Sequence, residues 1–205
     1  FERLYRRFVS EDDLVVVFSD HGIRIRAPFA QLLPPRRRNY REHTTGTFVT
    51  DKTTRTFFSL SGPQIEAGLR IDKLVRSIDI APTLLDWLDV GGLGAQGTSL
   101  KPFMTSDTQS GLPDLTAYME TGGMRTSPWR PEVRAIRTNQ WKFVDHDRWG
   151  QGLYRMTGRP DDEACNLIGQ GVAAEDELQV ALRQQQTENC RTVCLLYTSD
   201  AADDT

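Results

Sequence analysis

Asp20 and His21 are the residues in this sequence best placed to do chemistry. They close the stretch Val15-Val16-Val17-Phe18-Ser19-Asp20-His21-Gly22. A carboxylate and an imidazole side by side at a strand tip can both bind one divalent metal. Gly22, just behind them, lets the chain turn away sharply. The same residues also suit a plain turn, with Asp20 capping the segment that follows. Which reading holds depends on the elements that position them.

The run Leu14 to Phe18 is continuous, β-branched and aromatic, bounded by Glu11-Asp12-Asp13 and by Gly22. Such a run suits a strand buried on both faces, as in the parallel sheet of an α/β protein. Ligands of open α/β sheets gather at the carboxyl ends of the strands, which is where Asp20 and His21 fall. Before the strand, Phe1, Leu4, Tyr5 and Phe8 share one helical face. After it comes a long polar stretch, Ile23 to Thr56, holding Arg36-Arg37-Arg38 and His43. Loops of that length are functional or disordered. Thr56 to Ser61 reads as a second strand closed by Gly62-Pro63. A short turn near Val75–Ile78 and a helix from Ala81-Pro82 follow, because proline is comfortable in a first turn and Asp79 is placed to cap it.

The last third changes character. Asp114 to Glu120, Val133 to Thr138, Gln140 to Asp145 and Gly152 to Met156 read as short strands, with a hairpin around Thr138-Asn139-Gln140. Ala174 to Gln186 is a helix with Leu178 and Leu182 on one face. His146, between Asp145 and Asp147, reads as a surface residue at a charged hairpin end. The final TVCLLYTSDAADDT has no helical period and resembles translated adapter sequence, so residues 190–205 are expected to lie outside the fold. The organisation expected is therefore 1–112 for an α/β part, 113–189 for a small antiparallel subdomain, and a non-native tail.

Composition narrows the function. A length of 205 residues suits one domain or a large piece of one. The net charge of −3 gives no general pull toward nucleic acid. No stretch approaches a membrane span, and the residues from Phe1 on are not expected to act as a signal peptide. The start at Phe1, without methionine, raises the expectation of further sequence upstream. Cys165, Cys190 and Cys194 form no CxxC pair, which argues against a disulfide framework or a zinc cluster.

Four segments, in order, resemble the C-terminal half of a sulfatase of the alkaline phosphatase superfamily. They are VVVFSDHG; FFSLSGPQIEAGLRID; LVRSIDIAPTLLDWLDV with GTSLKPF; and VRAIRTNQWKFV with GLYRMTGRPDDEACNL. The resemblance implies an α/β fold with a mixed sheet between helices, followed by a small antiparallel sheet and a C-terminal helix. It implies that Asp20 and His21 hold a divalent cation. Calcium is typical of sulfatases, and the imidazole leaves manganese or zinc open. It implies a catalytic role for His43 and Lys52, contacting the sulfate or protonating the leaving group. Read as residues alone, His43 is equally a loop residue and Lys52 a solvated charge. Gly46-Thr47-Phe48 departs from the phosphodiesterase branch, where a histidine follows Gly-Thr, because phenylalanine cannot ligate.

The partner implied is a small-molecule or glycan sulfate ester, with a periplasmic or secreted location compatible with the family. Related phosphodiesterases and phosphonate monoester hydrolases share the first three segments. A third reading, a metal-free glycan-binding module, rests on Trp129, Trp149 and the arginine cluster. The family nucleophile sits in Cys-x-Pro-x-Arg or Ser-x-Pro-x-Arg, and no cysteine here has that context. Thr126-Ser127-Pro128-Trp129-Arg130 has the Pro and Arg spacing, but threonine cannot become formylglycine. The nucleophile is expected upstream of Phe1.

Overall fold

The structure is a computed structural model. It describes residues 2–22, 49–63, 65–91, 94–122, 132–159 and 161–200, with Leu4 and residues 190–200 as backbone only. The chain divides into two compact units, Phe1–Thr45 with Asp51–Leu115, and Gly46–Thr50 with Thr116–Thr205.

The first unit opens with helix α1 (Glu2–Phe8) and strand β1 (Val15–Phe18). Helix α2 (Asp51–Thr54) and strand β2 (Phe58–Ser61) follow. β1 pairs antiparallel with β2, from Val15 opposite Ser61 to Phe18 opposite Phe58. This corrects the expectation of a parallel strand buried on both faces. Among the described residues β2 is its one ladder partner, Val15 to Val17 are half-buried, and Phe18 is 58% exposed. An apolar run records that a strand is shielded, not which direction its neighbour runs. The core of this unit lies behind β2: Leu100, Met104, Leu112 and Leu115 are buried, with Phe58, Leu60 and Trp87 packed against them.

Helix α3 (Ile80–Trp87) enters through a 3-10 turn at Ser77–Asp79. Pro82 falls in its first turn, where its missing N–H has no intrahelical acceptor to lose. Asp79 does not cap the helix with its side chain, contrary to the reading from spacing. Its fully buried carboxylate accepts instead from the Arg76 backbone N–H (2.8 Å), the Arg76 guanidinium (Nη2, 2.7 Å) and the Thr98 N–H (2.9 Å). The long-range partner Thr98 outcompetes the local cap. Gly97 makes this possible: its φ is +104°, and a Cβ there would collide with the Ile78 carbonyl. Thr83 continues the chain of bonds, donating to Asp79 O (2.5 Å) and accepting from Leu100 N–H (2.9 Å). The strand-to-core loop is thereby tied to the helix through buried polar groups that are all paired.

The second unit is an antiparallel meander: β3 (Ala117–Thr121), β4 (Val133–Arg137), β5 (Trp141–His146) and β6 (Gly150–Arg155), paired in that order. Thr138 shapes the β4–β5 hairpin: its N–H donates to Trp141 O (2.8 Å), and its hydroxyl accepts from Trp141 N–H (3.1 Å). One sheet face presents Ile136, Phe143 and Leu153 to Leu178 and Leu182 of helix α4 (Ala174–Asp200). The other presents Val133 and Ala135 to Val49. Lys142 is fully buried and donates to Glu163 Oε1 at 2.7 Å. His146 is only 7% exposed, which corrects its reading as a surface residue.

Outside β6, Asn166 works as a strand substitute. Its Oδ1 accepts from Leu153 N–H (2.9 Å), its Nδ2 donates to Gln151 O (3.1 Å), and Leu167 N–H donates to Leu153 O (2.8 Å). α4 itself runs to Asp200, beyond the end at Gln186 expected from the sequence. No glycine or proline lies between Ala174 and Asp200 to stop it. No described helix is long and apolar enough to cross a membrane.

Two expectations follow. Asp79→Ala strands the Arg76 guanidinium and the Thr98 N–H in a largely buried place, and should cost about 3 kcal/mol or more in urea denaturation. Asp162 accepts from the Thr157 hydroxyl (2.6 Å) and from the N–H groups of Thr157, Arg159 and Gly158. The Thr157 hydroxyl bond comes first among the causes that hold its carboxyl below the ordinary value of 3.8. A carboxylate lowered on folding stabilises above its unfolded value, and that contribution goes as the pH falls through the folded one. The amide resonances of residues 157–159 should therefore hold position down to about pH 4 and move only below it; in Asp162→Asn they should show no such acid transition.

Candidate metal centre at the end of strand β1

Ser19 fixes how the chain leaves β1. Its N–H donates to Phe57 O (2.9 Å) and its hydroxyl accepts from Phe57 N–H (2.8 Å), extending the β1–β2 ladder by one side-chain bond. Asp20 and His21 then stand on a bend beyond the ladder, both exposed. Asp20 Oδ1 accepts from His21 N–H at 2.9 Å, which folds the carboxylate back over the next residue. His21 Nδ1 lies 2.8 Å from Gly22 O. A carbonyl oxygen can only accept, so Nδ1 carries a proton, and in the neutral ring Nε2 presents its lone pair. That Nε2 lies 3.6 Å from Asp20 Oδ2.

This arrangement fits a shared cation. Two donors each about 2.0–2.4 Å from one metal, at tetrahedral or octahedral angles, lie roughly 3–4 Å apart. A ligating histidine ordinarily gives its other ring N–H to a carbonyl or carboxylate, as His21 gives its own to Gly22 O. Among the described residues no third His, Cys, Asp or Glu joins the pair. His43 and the arginines 36–38 lie outside the described residues, as does Trp129.

Helix α2 closes the bend from behind. Gly22 N–H donates to Thr53 O at 2.9 Å. A Cβ on Gly22 would lie 2.5 Å from Lys52 O and 2.7 Å from Arg55 O, closer than any real contact. The glycine is required by this backbone approach. Lys52 therefore meets the bend through its carbonyl, while its side chain is exposed on α2. Sequence reasoning missed Ser19; a lone hydroxyl ending an apolar run was the available sign.

With this geometry in view, the comparisons with solved structures are informative. Over 85% of this chain, BT4656, solved in complex with its substrate D-glucosamine-2-N,6-O-disulfate, superposes with a TM-score of 0.60 at 21% identity. A phosphonate monoester hydrolase from Silicibacter pomeroyi matches 87% of the chain with a TM-score of 0.58 at 22% identity. BT1596, a 2-O GAG sulfatase, matches 93% with a TM-score of 0.55 at 22% identity. The fold is the sulfatase-like one. The chain spans about a third of the length of these structures, 34%, 35% and 37% in turn. No protein-family model and no curated protein matches the sequence.

Gly22→Ala should push α2 off the bend. Its effect should be local: changed amide resonances for residues 19–22 and 51–55, with those of the second unit unmoved. Resonances unchanged at Asp20 and His21 would show that α2 does not hold them.

Proposed function

We propose that this chain carries the metal-ligating end of a sulfuric ester hydrolase site, with Asp20 and His21 as two ligands of one divalent cation. The observation that carries the reading is the ring orientation of His21. Its Nδ1–H is committed to Gly22 O, so Nε2 faces the Asp20 carboxylate as a ready ligand. Calcium suits the carboxylate, and the imidazole admits manganese or zinc. When bound, such a cation neutralises charge on the sulfuryl group and orients the attacking oxygen. The chain's own part is to hold the two ligands rigidly: Ser19 pins the start of the bend, Gly22 and Thr53 its end. Lys52, on the helix behind the bend, supplies a cation in the same unit. Its role, with that of His43, would be to meet the ester oxygen or protonate the leaving group. A sulfated sugar is the substrate class this reading favours, since two proteins of the same fold are named for such substrates.

A second reading has its own support. The phosphonate monoester hydrolase matches almost as well as the sulfated-sugar complex, so a phosphonate or phosphate ester is the alternative substrate. A phosphodiesterase of the same superfamily would differ in its nucleophile, an unmodified Ser or Thr in place of a formylglycine from Cys-x-Pro-x-Arg or Ser-x-Pro-x-Arg. This sequence contains no such cysteine motif.

The test is thermal unfolding with calcium, manganese or zinc. Ligand at a hundred times its Kd adds about 2.7 kcal/mol, which is several degrees for a chain of this size. The wild-type chain should gain that, and both Asp20→Ala and His21→Gln should lose most of it. Equal gains in the variants would place the metal elsewhere. The chain alone should turn over neither 4-nitrophenyl sulfate nor phenyl phosphonate esters; turnover would reveal a nucleophile within these residues, with Thr47 and Thr126 the first to replace.

A further inference from the structure

The second unit holds a cavity of about 280 Å³ on the sheet face opposite α4, with His146, Trp149, Gly150, Gln151, Tyr154 and Glu163 in its wall. Its volume lies at the small end of ligand pockets, enough for one ring. Three features of this wall bear on what it could hold.

The first is His146. Its Nδ1 accepts from the N–H groups of Arg148 (3.0 Å) and Trp149 (3.4 Å), so the ring proton is on Nε2. The ring is 93% removed from solvent, and among the described residues Nε2–H has no acceptor. A buried donor left in that state costs stability unless something from outside satisfies it. The second is Tyr154. Its ring lies back over Gly152, where a Cβ would come within 2.5 Å of the hydroxyl, and that hydroxyl has no partner among the described residues. Burial, and then the Glu163 charge, push the phenol above its ordinary value, so it keeps its proton at neutral pH. The third is Trp149, 51% exposed although its ring rests on His146 with centroids 4.1 Å apart. Gly150 pairs with His146 across the ladder, and among the described residues nothing comes within 4 Å of where its Cβ would be.

The geometry points to a saccharide-binding pocket formed by Trp149, His146 and Tyr154 over Gly150. A pyranose has one C–H-rich face for the exposed Trp149 ring and hydroxyl groups around its edge. Those hydroxyls can accept from His146 Nε2–H and exchange bonds with the Tyr154 hydroxyl. An aryl ring would use Trp149 and leave both polar groups unsatisfied. Charge does not select the ligand, because Glu163 is already paired with Lys142 at 2.7 Å. The pocket is built wholly from the second unit and needs neither a metal nor a sulfate, so it does not rest on the hydrolase reading.

Saturation-transfer NMR on the full chain tests this, with EDTA present and with methyl β-glucoside, N-acetylglucosamine, glucuronate and p-cresol as probes. At least one sugar should receive saturation, strongest on the protons of one ring face. Trp149→Ala should abolish the transfer. Tyr154→Phe removes only the hydroxyl and should weaken binding roughly three- to tenfold. His146→Asn keeps an acceptor for the hairpin N–H groups, removes Nε2–H, and should weaken it similarly. No transfer to any sugar overturns the proposal. So does sugar binding unchanged in Tyr154→Phe and His146→Asn, or transfer to p-cresol alone. Because EDTA removes the cation, failure here leaves the metal result at Asp20 unaffected, and the reverse holds too.

Discussion

The close approach of Gly22 to the carbonyls of Lys52 and Arg55 is the constraint on which the candidate centre depends. Only a residue without a Cβ can sit there, and from there Gly22 O accepts from the His21 ring. The two consequences are linked. The same residue that lets the helix close on the bend also sets the histidine tautomer. Side chains on an exposed bend would otherwise sample many rotamers, and ordering them on binding any ligand opposes affinity. Here one hydrogen bond from each side, His21 N–H to Asp20 and His21 Nδ1–H to Gly22, has already narrowed the choice.

Both units rely on a buried charge, but in different ways. Asp79 is a hub: its carboxylate gathers a guanidinium and two backbone N–H groups, so removing it disconnects helix, turn and following loop together. Lys142 is one end of a pair, its ammonium fully buried against the partly exposed Glu163. Neither arrangement is needed for net stability in the way an apolar core is, since desolvation offsets much of the attraction. What such groups supply is register. Asp79 fits only where Thr98 N–H arrives, and Lys142 only where the turn after β6 places Glu163.

How much of this was legible follows the range of each interaction. The strand β1 and the bend that carries Asp20 and His21 were readable because an apolar run ends just before them. The β-meander and the apolar face of α4 were readable because period and turn chemistry are local, as in Thr138 and in Leu178 with Leu182. The direction of β1 was not, because its partner begins forty residues later and an apolar run says nothing about polarity. Asp79 was assigned to a cap on spacing alone, whereas its carboxylate is taken by Thr98, nineteen residues on. His146 sat between two aspartates and read as surface; its ring is drawn in by the hairpin's own N–H groups. The tail lacked a period, yet helix continuation needs only the absence of a breaker. The Trp149 pocket was the least legible, because it depends on what is missing over Gly150.

The strand substitute beside β6 has a consequence for how this protein behaves among copies of itself. An open sheet edge invites another chain to add a strand. Along β6 the Gln151 carbonyl and the N–H and carbonyl of Leu153 are already occupied by Asn166 and Leu167. A single amide side chain, offering a donor and an acceptor at ladder spacing, has filled the place of a neighbour. Growth of the sheet is blocked at the middle of that edge by chemistry within the chain, and a neighbouring molecule arriving there finds the Leu153 N–H and carbonyl and the Gln151 carbonyl already spoken for.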